Sequence, residues 1–114
     1  MLHVFQHMTP RGYSLVRPEG ELDALNVFAF RAALTDIAGT EALVIDLSDV
    51  SFIDSAGLVA IVGGVRRARD CGTLVSLACP RPGLAHILRA AGIDAIVGVF
   101  DAIDQAEAGL ETGS

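Results

Sequence analysis

Apolar residues along the chain keep two different spacings, and the alternation between them predicts the elements. In "LHVFQHM" (2–8) and "GYSLVRP" (12–18) they mix with polar residues at roughly strand spacing, and "TPRG" between them supplies a turn. The two segments predict an opening hairpin. From Ala24 the spacing lengthens: Val27, Phe30, Leu34 and Ile37 recur at intervals of three and four, which places them on one helical face, and Gly39 ends the element. "ALVIDLS" (42–48) is short and concentrated enough for an interior strand, and "DVSFID" (49–54) reads as a connection to the next helix. That second helix turns Leu58, Ile61, Val62 and Val65 to one side. Arg66, Arg67 and Arg69 fall near its C-terminal end, where positive charge complements the helix dipole. Gly63 and Gly64 weaken it locally and permit close packing. "TLVSLAC" (73–79) predicts another strand, and Pro80 and Pro82 mark the turn and start of a third helix. In that helix Leu84, Ile87, Leu88 and Ala91 come together, with Gly92 as its C-terminal cap. "DAIVGVF" (94–100) resembles a short strand, and "DAIDQAEAGL" (101–110) a final helix with Ile103, Ala106 and Leu110 on one side.

A hairpin followed by alternating helices and strands predicts an α/β fold, a mixed β-sheet covered by about four helices, because short buried strands need cover and right-handed crossovers provide it. With no internal repeat and no linker, residues 1–114 read as a single domain. Composition supports a packed core, since 52% of the residues are hydrophobic and 19% charged. Charge narrows the partners. The chain has no Lys, its net charge is -6, and so it is a poor binder of nucleic-acid backbones or anionic membranes. Cys71 and Cys79 match no metal or redox spacing and need no bridge, which points to a reduced, cytoplasmic setting. "MLHVFQHMTPRG" lacks the basic and apolar parts of a signal segment, and "SAGLVAIVGGV" is too short to span a bilayer, so no membrane insertion is expected.

The stretch "SFIDSAG" (51–57) holds the candidate chemistry. A Ser55 nucleophile would want an elbow with Gly two residues earlier, a base and oxyanion donors; the Gly is missing, and His86 on the third helix has no evident path to Ser55. Asp46, Asp49 and Asp54 could share a hard cation, but the same residues suit strand ends and turns. No phosphate-cradling loop is present, and no Lys exists to complete one. Helix capping is the simplest account of Asp54 and Ser55, and of Asp23 before the first helix. The residues thus predict no catalytic group, no metal and no cofactor.

The stretches "GELD" (Gly20, Glu21, Leu22, Asp23) and "VIDLSDVSFIDSAGL" (44–58), and more diffusely "GTLVSLACPRPGLAHILRAAGI" (72–93), make the chain resemble the STAS family, and within it the bacterial anti-sigma-factor antagonists. Nearly the whole chain fits that organisation. The resemblance implies a small mixed-sheet domain that binds an anti-sigma factor with serine kinase activity and thereby frees a sigma factor. It places the phosphorylated serine at Ser55, as a substrate residue that a separate serine phosphatase restores. Ala56 stands where a second hydroxyl residue is often found. The resemblance further implies partner-facing or site-shaping roles for Gly20, Glu21, Asp23, Asp49, Asp54, Ala56 and Gly57. Phe28 falls beside the apolar face of the first helix, where a wide packed face is the more ordinary account and an exposed interface anchor the alternative. The alternative implied by the same scaffold is a STAS regulatory subunit of a transporter or signalling assembly without phosphorylation, and a small Ser-dependent hydrolase ranks below it.

Overall fold

The opening hairpin forms as the alternation predicts. β1 (Leu2–Met8) and β2 (Ser14–Leu22) run antiparallel, with Leu2 opposite Gly20 and Met8 opposite Ser14. The structure, a computed structural model, describes residues 2–37 and 39–111. β2 is longer than its sequence suggests, because it passes through Pro18. The reason lies on its other side: β3 (Ala42–Asp46) pairs in parallel with Ser14–Val16, and β4 (Val50–Ile53) pairs in parallel with Gly20–Leu22. Pro18, which has no N–H, falls at the break between the two partners, where no ladder bond is required of it.

β4 corrects the sequence reading of 49–54 as a plain connection. Its four residues carry no alternation because the register moves one residue along β2, from Gly20 to Glu21, for two along β4, from Val50 to Phe52. Ser51 is the extra residue of this bulge. Gly20 sits there at φ 120°, a conformation in which a side chain would be strained, and this accounts for the glycine of "GELD".

α1 (Val27–Asp36) starts three residues later than predicted and buries Val27, Phe30, Ala33 and Leu34. α2 (Ser55–Asp70) buries Gly57, Ala60, Ile61, Gly64, Val65 and Ala68, with Leu58 and Val62 packed partly against the same core. Gly64 lies against Leu34, so the pair of glycines contributes one close helix contact; Gly63 meets the side chain of Arg67 instead. β5 (Leu74–Ala78) is as predicted, and α3 (Pro82–Ala90) begins on Pro82, with Gly92 beyond its end at φ 80°. Its buried face is rotated, however: Leu84, Ala85 and Leu88 face the core, while Ile87 and Ala91 are exposed. Only the end of "DAIVGVF" is extended, as β6 (Gly98–Phe100), because a 3-10 turn at Ile93–Ala95 takes up its beginning. α4 (Ile103–Glu111) buries Ala106 and Leu110, but Ile103 is exposed.

The strand order is β1-β2-β3-β5-β6, with β4 also on β2. All pairs except β1 and β2 are parallel. The mixed sheet, with four α-helices among the described residues, is the predicted class. α1, α2 and α3 fill one face with the larger core, into which Leu43, Ile45, Val75 and Leu77 point. Alternate residues point the other way. There Val44 and Ala78 meet Tyr13, Ala106 and Leu110, and α4 covers that smaller core.

Tyr13 is the chain's only tyrosine, and it is buried in this second core. Burial, with the Glu107 carboxylate beside the phenol, pushes its pKa from 10.0 up to about 12. A raised phenol pKa means that the folded state holds the proton more tightly than the unfolded chain. The stabilisation is complete below pH 10.0 and is lost as pH rises toward about 12. Tyrosinate absorbance, free of tryptophan interference, should therefore titrate near 12 in the folded protein and near 10.0 in denaturant.

Candidate functional site

The C-terminal ends of β2 and β4 lie side by side, and α2 starts from that edge. Asp54 N–H donates to the Leu22 carbonyl at 3.3 Å, which carries the β2–β4 pairing to the first residue beyond the strand. α2 then approaches β2 so closely that a Cβ on Gly57 would collide with the Leu22 carbonyl oxygen and stand 2.8 Å from Ile53 Cγ1. Gly57 is required by that approach. Asp54, with extended backbone, is the N-cap: its Oδ1 accepts the Gly57 N–H at 3.1 Å. Its Oδ2 accepts the Ala24 N–H at 3.2 Å, from the loop between β2 and α1. One carboxylate thus fixes two segments distant in sequence. Ser55 follows as the first residue of α2, exposed, and its hydroxyl has no hydrogen-bond partner among the described residues.

Asp23 organises the neighbouring loop, though not as the predicted N-cap. Asn26 occupies the N-cap of α1 and makes no side-chain cap bond. Asp23 Oδ1 instead accepts from the N–H of Leu25 and of Asn26, each at 3.1 Å, and from Asn26 Nδ2 at 3.0 Å. Its carbonyl accepts the Asn26 and Val27 N–H groups at 3.0 and 2.8 Å. A tight turn results, because one short acidic side chain gathers the amide donors that follow it. The turn holds two apolar side chains in solvent: Leu25 is 92% exposed, and Phe28, in the first turn of α1, 82%.

Phe28 is thus exposed, which fits the interface alternative and not the more ordinary reading of a wide packed face. Leu25 was missed, as were Phe52 at the end of β4 and Val59 in the first turns of α2, both exposed. The signal for Val59 is its position opposite the buried Gly57, Ala60, Ile61 and Gly64. Glu21 is exposed and pairs across the strands with Phe52. Residues 20–28 and 51–59 hold Glu21, Asp23 and Asp54 and no basic side chain, so the edge is acidic and apolar together.

Asp49, which the resemblance grouped with Asp54 among the site-shaping residues, lies away from this edge. β4 lies between them, and at ~3.3 Å per residue its length separates the two ends by more than ~10 Å. Asp49 pairs with Arg17 at 3.1 Å, Arg17 lies 4.9 Å from the centre of the Phe5 ring, and the Asp49 carbonyl accepts the Gly20 N–H at 3.1 Å. Asp46 is buried and accepts the Ser48 N–H at 3.0 Å. The three aspartates are therefore committed to different donors. Among the described residues no three His, Cys, Asp or Glu side chains gather as a metal site would require. His86 is exposed on α3, and no hydrogen bond joins it to Ser55. Cys71 and Cys79 are both free; Cys79 is buried, which pushes its thiol pKa up and keeps it in the unreactive form. No helix among the described residues is long and apolar enough to cross a membrane.

Known proteins share this arrangement. Residues 6–106 match the sequence model of the STAS domain. A Thermotoga neapolitana protein named as an anti-sigma factor antagonist homologue is 28% identical over 95 residues, 81% of this chain and 84% of that one. The crystal structure of an anti-sigma factor antagonist from Mycobacterium paratuberculosis superposes with a TM-score of 0.88 at 22% identity, over 97% of this chain and 95% of that one. The Bacillus cell fate determinant SpoIIAA, solved in its phosphorylated form, gives 0.69 at 20% identity, over 93% of this chain and 97% of that one. At such identities the two structural likenesses speak for the fold.

The two bonds of Asp54 set a measurable stability. Asp54→Ala should cost about 1–2 kcal/mol in urea denaturation and speed amide exchange at Ala24 and Gly57 together. Asp54→Asn, with one acceptor oxygen in place of two, should recover about half of that loss.

Proposed function

The chain belongs to the STAS domain family, and from that premise we propose that it is an anti-sigma-factor antagonist whose binding to an anti-sigma factor is switched off by phosphorylation of Ser55. It acts as a regulator, and Ser55 is a substrate of the partner's serine kinase activity, restored by a separate phosphatase. One observation carries this reading: a free serine hydroxyl stands exposed at the first position of α2, on an edge that the Asp54 carboxylate makes rigid. The names of the three relatives described above, two anti-sigma factor antagonists and a cell fate determinant, agree with it.

The chemistry of the switch follows from the surroundings of Ser55. Phosphorylation adds roughly -1.5 to -2 charges and three acceptor oxygens. The start of α2 tolerates them, because the first amides of a helix are not all bonded and its dipole favours an anion there. The fold is kept and the surface changes. A partner packed against the hydroxyl has no room for a phosphoryl group, and it would have to strip water from a dianion beside Glu21, Asp23 and Asp54. Leu25 and Phe28, held out by the Asp23 turn, supply apolar anchors around the serine, and Gly20 and Gly57 shape the backbone that carries it. Ala56 leaves Ser55 as the one hydroxyl of the first helical turn.

Incubation with the cognate anti-sigma kinase and ATP should yield a phosphopeptide containing Ser55, and Ser55→Ala should abolish it. Ser55→Asp should weaken partner binding at least tenfold. A kinase active on other substrates that leaves Ser55 unmodified would sink the switch, and isolation of the native complex with transporter components would favour a transporter-regulating module. Phe28→Ala should weaken the same complex by about 1–2 kcal/mol, roughly 5- to 30-fold, while changing the unfolding free energy by less than about 0.5 kcal/mol, since the ring is 82% exposed.

A further inference from the structure

Among the described residues three strands pair on one side only: β1, β6 and β4. β6 has three residues, and β4 has four and already presents its Val50 carbonyl to Arg81 Nη1 at 2.5 Å. β1 has seven residues, LHVFQHM, with no Asp, Glu, Arg, Lys or Pro. Charges and prolines are the usual means by which an edge strand deters pairing, and this strand carries neither.

The hairpin register fixes which backbone groups are free. Thr9 N–H donates to the Tyr13 carbonyl at 2.8 Å, so the odd positions of β1 bond to β2: His7 with Leu15, Phe5 with Arg17 and His3 with Glu19. The Gly20 N–H confirms the alternation on β2, since it turns away from β1 to the Asp49 carbonyl. Leu2, Val4, Gln6 and Met8 therefore direct their N–H and C=O groups to the open side. The side chains alternate as well. Leu2 and Val4 pack into the larger core, while Phe5 lies on the opposite face, 45% exposed over Arg17.

We propose that β1 pairs with β1 of a second copy of this chain, antiparallel about a two-fold axis through Phe5, to give a dimer with one continuous sheet. In this register every free group of the strand is answered by the same strand: Val4 bonds with Gln6 of the copy, and Leu2 with Met8. Phe5 meets Phe5 in a non-hydrogen-bonded position, where side chains approach most closely, with Cα atoms about 4.5 Å apart. His3 faces His7. The charge pattern selects a copy as the occupant. A chain of net charge -6 repels itself over most of its surface, but β1 brings no formal charge to the axis, and the nearby Asp49 is neutralised by Arg17. A two-fold axis normal to the sheet reverses strand direction, so the two Ser55 edges lie at opposite ends of the dimer and both stay free.

Sedimentation velocity of the full chain from about 20 µM to about 1 mM tests the proposal, a strand-edge interface being small and its affinity correspondingly weak. The weight-average mass should climb from 11.9 kDa toward twice that value. Gln6→Pro removes an outward N–H without touching the β1–β2 ladder, and Phe5→Glu places two carboxylates on the axis; each should weaken association at least tenfold. Circular dichroism and the thermal midpoint report whether each variant is folded, and one folded variant suffices. A wild type that stays monomeric throughout, assemblies that grow past the dimer, or a folded Gln6→Pro or Phe5→Glu variant that dimerises as well as wild type would each overturn it.

Discussion

The edge that carries Ser55 depends on the way a single carboxylate, that of Asp54, is shared. β2 and β4 end together, and two helices leave from that end in different directions, each with first-turn amides that need acceptors. Asp54 serves α2 through Gly57 and the approach to α1 through Ala24. Sharing is possible only because α2 lies within reach of β2, and that reach exists because Gly57 has no side chain to strike the Leu22 carbonyl. Asp54 and Gly57 are in this sense one device, a bond and the space that lets it form.

Much of this was legible in the sequence, and the exceptions have physical causes. Helical spacing placed α1, α2 and α4 because their buried residues recur regularly, and the apolar runs around Val44 and Val75 are what an interior strand requires. β4 escaped because a bulge erases its alternation, and because its existence depends on β2 continuing past Pro18, where a sequence reading stops. The face of α3 turned out rotated, with small Ala85 buried in place of large Ile87, since the fit against the sheet outweighs the preference for burying the larger group. The position of Ser55 was readable from its motif, and the cap from the chemistry of aspartate before a helix. Val59 could have been found from its place opposite the buried face of α2, whereas Leu25 lies in a turn, where no helical or strand spacing records what its neighbours leave uncovered.

The aspartates show how position assigns different roles to one residue type. Asp23 folds a turn, Asp46 is buried under a single amide bond, Asp49 neutralises Arg17 and Asp54 caps. Asp23 and Asp54 belong to the end of the fold that carries the exposed serine, and among the described residues they bond to amides and form no ion pair. The edge therefore keeps its negative potential in the free protein, and any surface that docks on it gains most if it is positive around an apolar centre.

The sheet also divides the molecule into two unequal cores, and α4 is held by the smaller one, through Ala106 and Leu110. Leu15, Ala42 and Phe100 pack beside them on this face, whereas residues of β2, β4, α1 and α2 share the larger core on the other. Detachment of the last helix would act on one face of the sheet alone. It uncovers Tyr13 and Val44 to solvent while the serine-bearing end, supported from the opposite face, keeps its shape. The sheet thus separates the packing that holds α4 from the packing that holds the serine-bearing end.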